Sequence, residues 1–321
     1  MKRLYEYVLI IVDKEDENAK GCDYRSWSCR FPLWIYIGTF GITDEIVLVD
    51  VDKDKAYAQA LDIADSVSFC ERETVVRSGD YKDCEDAAIV VIAIGEARKP
   101  GQTRLDMLGR SVEMLKELLA QLSPYKISGI VVTITNPADI VADFVRKGLG
   151  LERNKVFGTG TLLDTARLIR TLSEESGVSR NSIQAFSLGE HGDSSMIPFS
   201  TVRIGGLPFD EYNISKEKVL EATRQIGMTI IEGKKSTEFG IGRALTEMAA
   251  CILRDEKKIM PASVLLQGEY GQYDVHCGVP CLIGKNGIEK IIELPLTEEE
   301  QEMLNRSCEI IKQHIETASQ D

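Results

Sequence analysis

In "LGEHGDSS", His191 stands between glycines that let the backbone turn sharply and leave the imidazole open to a ligand. A histidine that gives and takes a proton near neutral pH needs a carboxylate on its other ring nitrogen, to fix the tautomer and stabilise the imidazolium. "GTLLDTARLIR" offers Asp164, with Arg167 three residues on and so on the same side of a helix. An Asp–Arg pair at that spacing is most often a plain helix salt bridge. Beside His191 it becomes an orienting acid and a guanidinium for a substrate carboxylate. "GEARKPGQTRLD" adds a loop shaped by Gly95, Pro100 and Gly101, from which Arg98 and Arg104 project. A solvated surface loop would read the same, but one hinged by Gly and Pro can also close and bring a guanidinium to a polarised carbonyl. His276, in a turn-rich stretch, and His314, in a polar C-terminal helix, read as structural.

These residues need a scaffold, and from residue 45 the chain alternates. "EIVLVDVD", "AAIVVIAIG" and "GIVVTITNP" are apolar β-branched runs, while "KDKAYAQALDIADS" and "RLDMLGRSVEMLKELLAQLS" have helical spacing. Strands without polar alternation, separated by helices, imply a parallel sheet covered on both faces, with ligands beyond the carboxyl ends of its strands. The fold class is α/β, a doubly wound parallel sheet (Rossmann) followed by a C-terminal α+β substrate domain. The boundary falls near residues 140–150, giving domains 1–145 and 146–321. In the second, "TLLDTARLIRTLSEESG" reads as a helix, a longer helix breaks near "GKKS", and antiparallel strands turn at "KNG" before an acidic helix.

A net charge of −13 on 321 residues, with no Lys/Arg-rich block, argues against nucleic acid or an anionic membrane as partner. No run reaches the roughly 18 to 20 apolar residues of a membrane span, and the N-terminus does not read as a signal peptide, so a cytoplasmic location is expected. The eight cysteines are scattered without metal-ligand spacing and are expected to be reduced thiols.

In order and spacing, "VLVD", "IGEARKPGQTRLD", "TITNPADI", "GTGTLLDTARL", "LGEHGDSS", "STEFGIG" and "GVPCLIGKNGIEKIIELPL" resemble the NAD-dependent lactate/malate dehydrogenase family, from about residue 41 to the C-terminus. The resemblance implies a hydride exchanged between NAD and a small L-2-hydroxy acid. His191 would be the proton donor and acceptor, Asp164 its partner, Arg167 the carboxylate anchor and Arg104 the group polarising the keto oxygen. Thr237 would line the substrate pocket, and Asn136 would contact both substrate and nicotinamide ribose. The cofactor contacts would be Asp50, Gly95 and Asn136, with Asp50 accepting the adenosine ribose hydroxyls and so favouring NAD over NADP. Arg98 occupies the specificity position, where lactate enzymes usually carry Gln and malate enzymes Arg. A second guanidinium suits a second carboxylate, which favours malate/oxaloacetate, with lactate/pyruvate as the alternative. Where fructose-bisphosphate-activated relatives place cations, this chain has Ile169 and Gln184, so no such activation is expected. The resemblance also implies a homodimer or homotetramer.

One part of the pattern is missing. A strand and G-x-G-x-x-G, whose glycines let pyrophosphate approach a helix N-terminus, should precede "VLVD", yet residues 1–40 contain none. Both tryptophans, Trp27 and Trp34, fall there instead. Back-translated with permitted codons and read one base later, Lys20 to Phe31 spells K-V-A-I-I-G-A-G-A-V-G, its glycines arising from the codons of Arg25, Trp27 and Arg30. The first glycine falls 25 positions before Asp50, close to the roughly 20-residue offset between fingerprint and acid. Two readings follow: a one-base shift before residue 31, restored by about residue 41, or a genuine strand "YEYVLIIV" with a divergent loop. Either leaves the chain as written without a phosphate cradle, and a catalytically silent relative is the alternative of another class.

Overall fold

The aliphatic runs of the first half form strands buried on both faces. The computed structural model describes residues 7–12, 41–94, 104–234 and 236–320. Strands β2 (Glu45–Asp50) and β3 (Val75–Ser78) pair in parallel, as do β4 (Ile89–Ile92), β5 (Ile130–Thr133) and β6 (Val156–Gly158). Every residue of β4 and β5 is buried, which is why neither shows polar alternation. Helix α1 (Lys53–Val67) buries Ala56, Ala60, Ile63 and Val67, one stripe at helical spacing, and the Asp52 side chain accepts from the Lys55 N–H at its start. Helices α2 (Arg104–Leu122) and α3 (Ala138–Leu149) follow β4 and β5.

Strand β1 (Tyr7–Val12) lies between β2 and β4 and runs antiparallel to both. Its register sets Tyr7 opposite Asp50 and Val12 opposite Glu45, so β1 ends at the edge of the sheet where its neighbours begin. The expectation of a parallel sheet is corrected at this strand. "YVLIIV" is apolar enough for the central slot, and burial is indifferent to strand direction, so hydrophobicity fills the position without supplying a turn beside Asp50.

Beyond β6 come α4 (Leu162–Ser176), a small sheet of β7 (Ile183–Gln184), β8 (Arg203–Ile204) and β9 (Leu207–Pro208), then α5 (Lys216–Lys234) and α6 (Phe239–Leu253), which flank the break near "GKKS". Strands β10 (Lys258–Gln267), β11 (Tyr273–Gly284) and β12 (Gly287–Ile291) form an antiparallel meander, and α7 (Glu298–Gln320) closes the chain. β10 pairs with β6 through Ser263 and Gly158, so the meander joins the first sheet in one nine-stranded order, β12-β11-β10-β6-β5-β4-β1-β2-β3. A division at residue 145 would pass through α3, and β6 beyond it completes the parallel set. His276 lies in β11 rather than in a turn and is fully buried, its Nδ1 3.3 Å from Asp143 Oδ1 of α3. The six described cysteines are free thiols.

Candidate active site

Asp164 and Arg167 occupy the first and second turns of α4, a helix begun by the tight "GTGT" connection out of β6. Two threonines fix that helix against the segment leading to His191. Thr161 Oγ1 donates to the Ser187 carbonyl at 2.6 Å, and Thr165 Oγ1 accepts from the Ser187 N–H at 2.9 Å. The loop around His191 is closed at its base by paired backbone bonds between Leu188 and Met196. A second pair joins Gly189 to Gly278 of β11. Gly189 has φ +92°, and a Cβ there would lie 2.5 Å from Ser307 Oγ, so both backbone and space demand glycine. Ser307 uses that closeness, accepting from the Glu190 N–H at 2.8 Å.

This frame brings the histidine to its acid. His191 Nδ1 lies 2.6 Å from Asp164 Oδ2, and Asp164 Oδ1 accepts from Arg167 Nη1 at 2.9 Å. The side chains are 22% exposed for His191, 13% for Asp164 and 12% for Arg167, a screened site that still opens to solvent. The Asp164 carboxylate raises the proton affinity of His191 against the opposing effect of burial. Burial pushes Asp164 upward, but His191 and Arg167 outweigh it and hold the carboxyl below its usual range. The ring nitrogen away from Asp164 is the one available to a substrate. Gly227 of α5 faces the Arg167 guanidinium, where a Cβ would come within 3.4 Å of Nη1. Arg224 of the same helix donates to the Ser195 carbonyl.

The other expected residues lie on separate elements. Asn136 is exposed at the entry to α3. Thr237 lies in the connection into α6, whose Gly240 packs on Leu163, the neighbour of Asp164. Arg104 is the first residue of α2. Arg98 and Gly95 lie outside the described residues, as does the stretch from Lys20 to Phe31. Asp139, three residues beyond Asn136 and not among the expected residues, accepts from the His191 main-chain N–H at 2.9 Å through Oδ2. Its signal was legible: in "ADIVADFV" both acids, four residues apart, sit on the apolar face of a helix.

Residues 31–158 match the lactate/malate dehydrogenase NAD binding domain, and residues 161–321 match the alpha/beta C-terminal domain of the same family. The chain belongs to the lactate/malate dehydrogenase family. It is 39% identical over 286 residues to L-lactate dehydrogenase 3 of Bacillus cereus, covering 86% of this chain and 90% of that one. It is 40% identical over 285 residues to an L-lactate dehydrogenase of Fusobacterium nucleatum, covering 86% and 89%. Among solved structures, the ligand-bound minor L-lactate dehydrogenase of Enterococcus mundtii superposes with a TM-score of 0.86 at 33% identity, covering 90% of this chain and 95% of that one. The first half is thus a Rossmann NAD-binding domain, and the chain is assigned as an NAD-dependent 2-hydroxy acid dehydrogenase. Among the described residues, no helix is long and apolar enough to cross a membrane, and no cluster of His, Cys, Asp and Glu could hold a metal.

The described residues fit NAD at one end only. Asp50, expected to meet the adenosine ribose, stands at the carboxyl end of β2; it accepts from the Asp52 N–H at 2.8 Å, and burial pushes it up to about 8. The pyrophosphate end does not fit, because β1 runs toward the opposite edge and the chain lacks the glycine turn.

Proposed function

We propose that the His191 centre interconverts L-lactate and pyruvate. The observation that carries this reading is the chain of contacts from Arg167 through Asp164 to His191, a carboxylate anchor and a proton-transfer group sharing one acid. The names of its relatives, L-lactate dehydrogenases at 39–40% identity, support the choice of substrate. NAD, when bound, supplies or accepts the hydride at C2.

In the reducing direction His191, protonated on both ring nitrogens, gives its outward proton to the keto oxygen, and Asp164 stabilises the cation until it does. The same acid fixes the neutral tautomer that accepts the hydroxyl proton in the oxidising direction. Arg167 turns a guanidinium to the substrate carboxylate, and Arg104, at the head of α2, is the group that polarises the keto oxygen. Asn136 and Thr237 complete the pocket wall.

Arg98 supports malate/oxaloacetate as a second reading, since a guanidinium in a closed site leaves a methyl group opposite an unpaired charge. NADH oxidation with pyruvate and with oxaloacetate decides between them. A kcat/KM ratio above one for pyruvate over oxaloacetate supports lactate; a ratio below about 0.1 overturns it, as more than a tenfold preference corresponds to about 1.4 kcal/mol. No turnover with either, under saturating NADH, would leave the silent relative.

A further inference from the structure

The loop holding His191 is tied down at a second carboxylate. Asp139, in the first turn of α3, is 3% exposed; its Oδ2 accepts from the His191 main-chain N–H at 2.9 Å and its Oδ1 from Ser263 Oγ of β10 at 2.5 Å. One histidine is therefore gripped by two acids from different helices, the ring by Asp164 of α4 and the main chain by Asp139 of α3. Ser263 also faces Gly158, the pairing that joins the C-terminal meander to the parallel sheet. The anchor thus stands where the two halves meet.

We propose that Asp139 is a positioning residue for proton transfer, its buried charge holding the His191 main chain in place and favouring the protonated imidazole. The inference rests on His191 being the proton-transfer group. A neutral acceptor would satisfy the same N–H, whereas an anion in a dry site adds a long-range attraction for the imidazolium. Burial pushes Asp139 up to about 6, while its donors Ser263 and His191 pull it down. Among the described residues, the other charged or titratable groups facing this pair are Asp164 and Arg167 from α4, Glu190 from the loop and the Cys277 thiol from β11. Asp164 pulls in the same direction as Asp139, and Arg167 opposes it.

The test uses the full chain without cofactor, where only three histidines give imidazole signals in nuclear magnetic resonance. In Asp139→Asn, which keeps shape and acceptor, the His191 midpoint should fall by about one pH unit while exchange of its main-chain amide stays slow. In Asp139→Ala the midpoint should fall equally and amide exchange should speed up at least tenfold. An unchanged midpoint in a folded Asp139→Asn protein overturns the proposal, as does an exchange rate in Asp139→Ala equal to that of the parent. If neither variant folds, Ser263→Ala removes one donor that stabilises the anion and should lower the same midpoint; no movement overturns the proposal. These readouts need no turnover, so a chain inactive with both keto acids would refute the proposed function and leave this result readable.

Discussion

Replacing residues 20–30 with K-V-A-I-I-G-A-G-A-V-G, which includes Arg25→Gly, Trp27→Gly and Arg30→Gly, should tighten NADH binding relative to the chain as written. β1 fills the slot between β2 and β4 in the reversed direction, with Val12 opposite Glu45, so it ends at the edge away from Asp50. The adenosine end of the cofactor keeps the expected acid, whereas the glycine motif that brings backbone donors to the pyrophosphate is absent from the sequence. A hydrogen bond to a charged group contributes about 1.5–3 kcal/mol, so two missing amides cost about 3–6 kcal/mol. At 1.4 kcal/mol per decade, that is roughly a hundredfold to ten-thousandfold in Kd. Titrating both proteins with NADH by fluorescence or calorimetry, after circular dichroism shows both folded, measures the difference. Micromolar binding by the chain as written, or two Kd values within about threefold, would refute the reasoning. Sequencing the coding DNA gives an independent check, because codons unable to yield these glycines in the next frame end the one-base reading.

Asp164→Asn should lower the His191 midpoint by about one to two pH units, since unit charges about 4 Å apart interact by about 4 kcal/mol at an effective dielectric of 20 and part of this is screened. His191, raised, stabilises the fold below the ordinary histidine range and loses that contribution as pH rises through its folded midpoint. Asp164, lowered, stabilises above the ordinary carboxylate range and loses its contribution as pH falls through its own. The variant should therefore lose stability mainly in the window between, read by urea denaturation across pH, and an unmoved imidazole midpoint would contradict the pairing. Asp50, raised from 3.8 to about 8, works the other way: the folded state holds its proton more tightly, so stability drains as pH rises across that range. Asp50→Asn should flatten the slope and stabilise the cofactor-free protein at pH 7 by about 2–4 kcal/mol, and an unchanged slope would sink the assignment. Fructose bisphosphate should leave the KM for pyruvate unchanged, because Ile169 packs with an apolar cluster and Gln184 is uncharged; a clear fall in KM would reverse this.

Period and motif made much of the protein legible before any coordinates. The β-branched runs became β2, β4 and β5, the helical stripes became α1 and α2, and His191, Asp164 and Arg167 could be matched because glycine-flanked loops and i, i+3 spacing are local signals. Asp139 is legible only as an acid on an apolar helix face, since its contacts need Ser263, 124 positions away, and a backbone N–H that no residue code records. His276 was misplaced because β11 carries no alternation to mark it as strand: helices α3, α6 and α7 pack on it and most of its residues are buried. The direction of β1 was beyond sequence reading altogether. "YVLIIV" is apolar in sequence, but a strand is equally apolar read either way, and only pairing with fixed neighbours decides which end meets Asp50. The sequence by itself determined the family and the absence of the glycine turn, because long local motifs carry both; tertiary structure alone decided which acid grips which part of His191, and that the strand between β2 and β4 runs antiparallel to both, because these depend on contacts between distant segments.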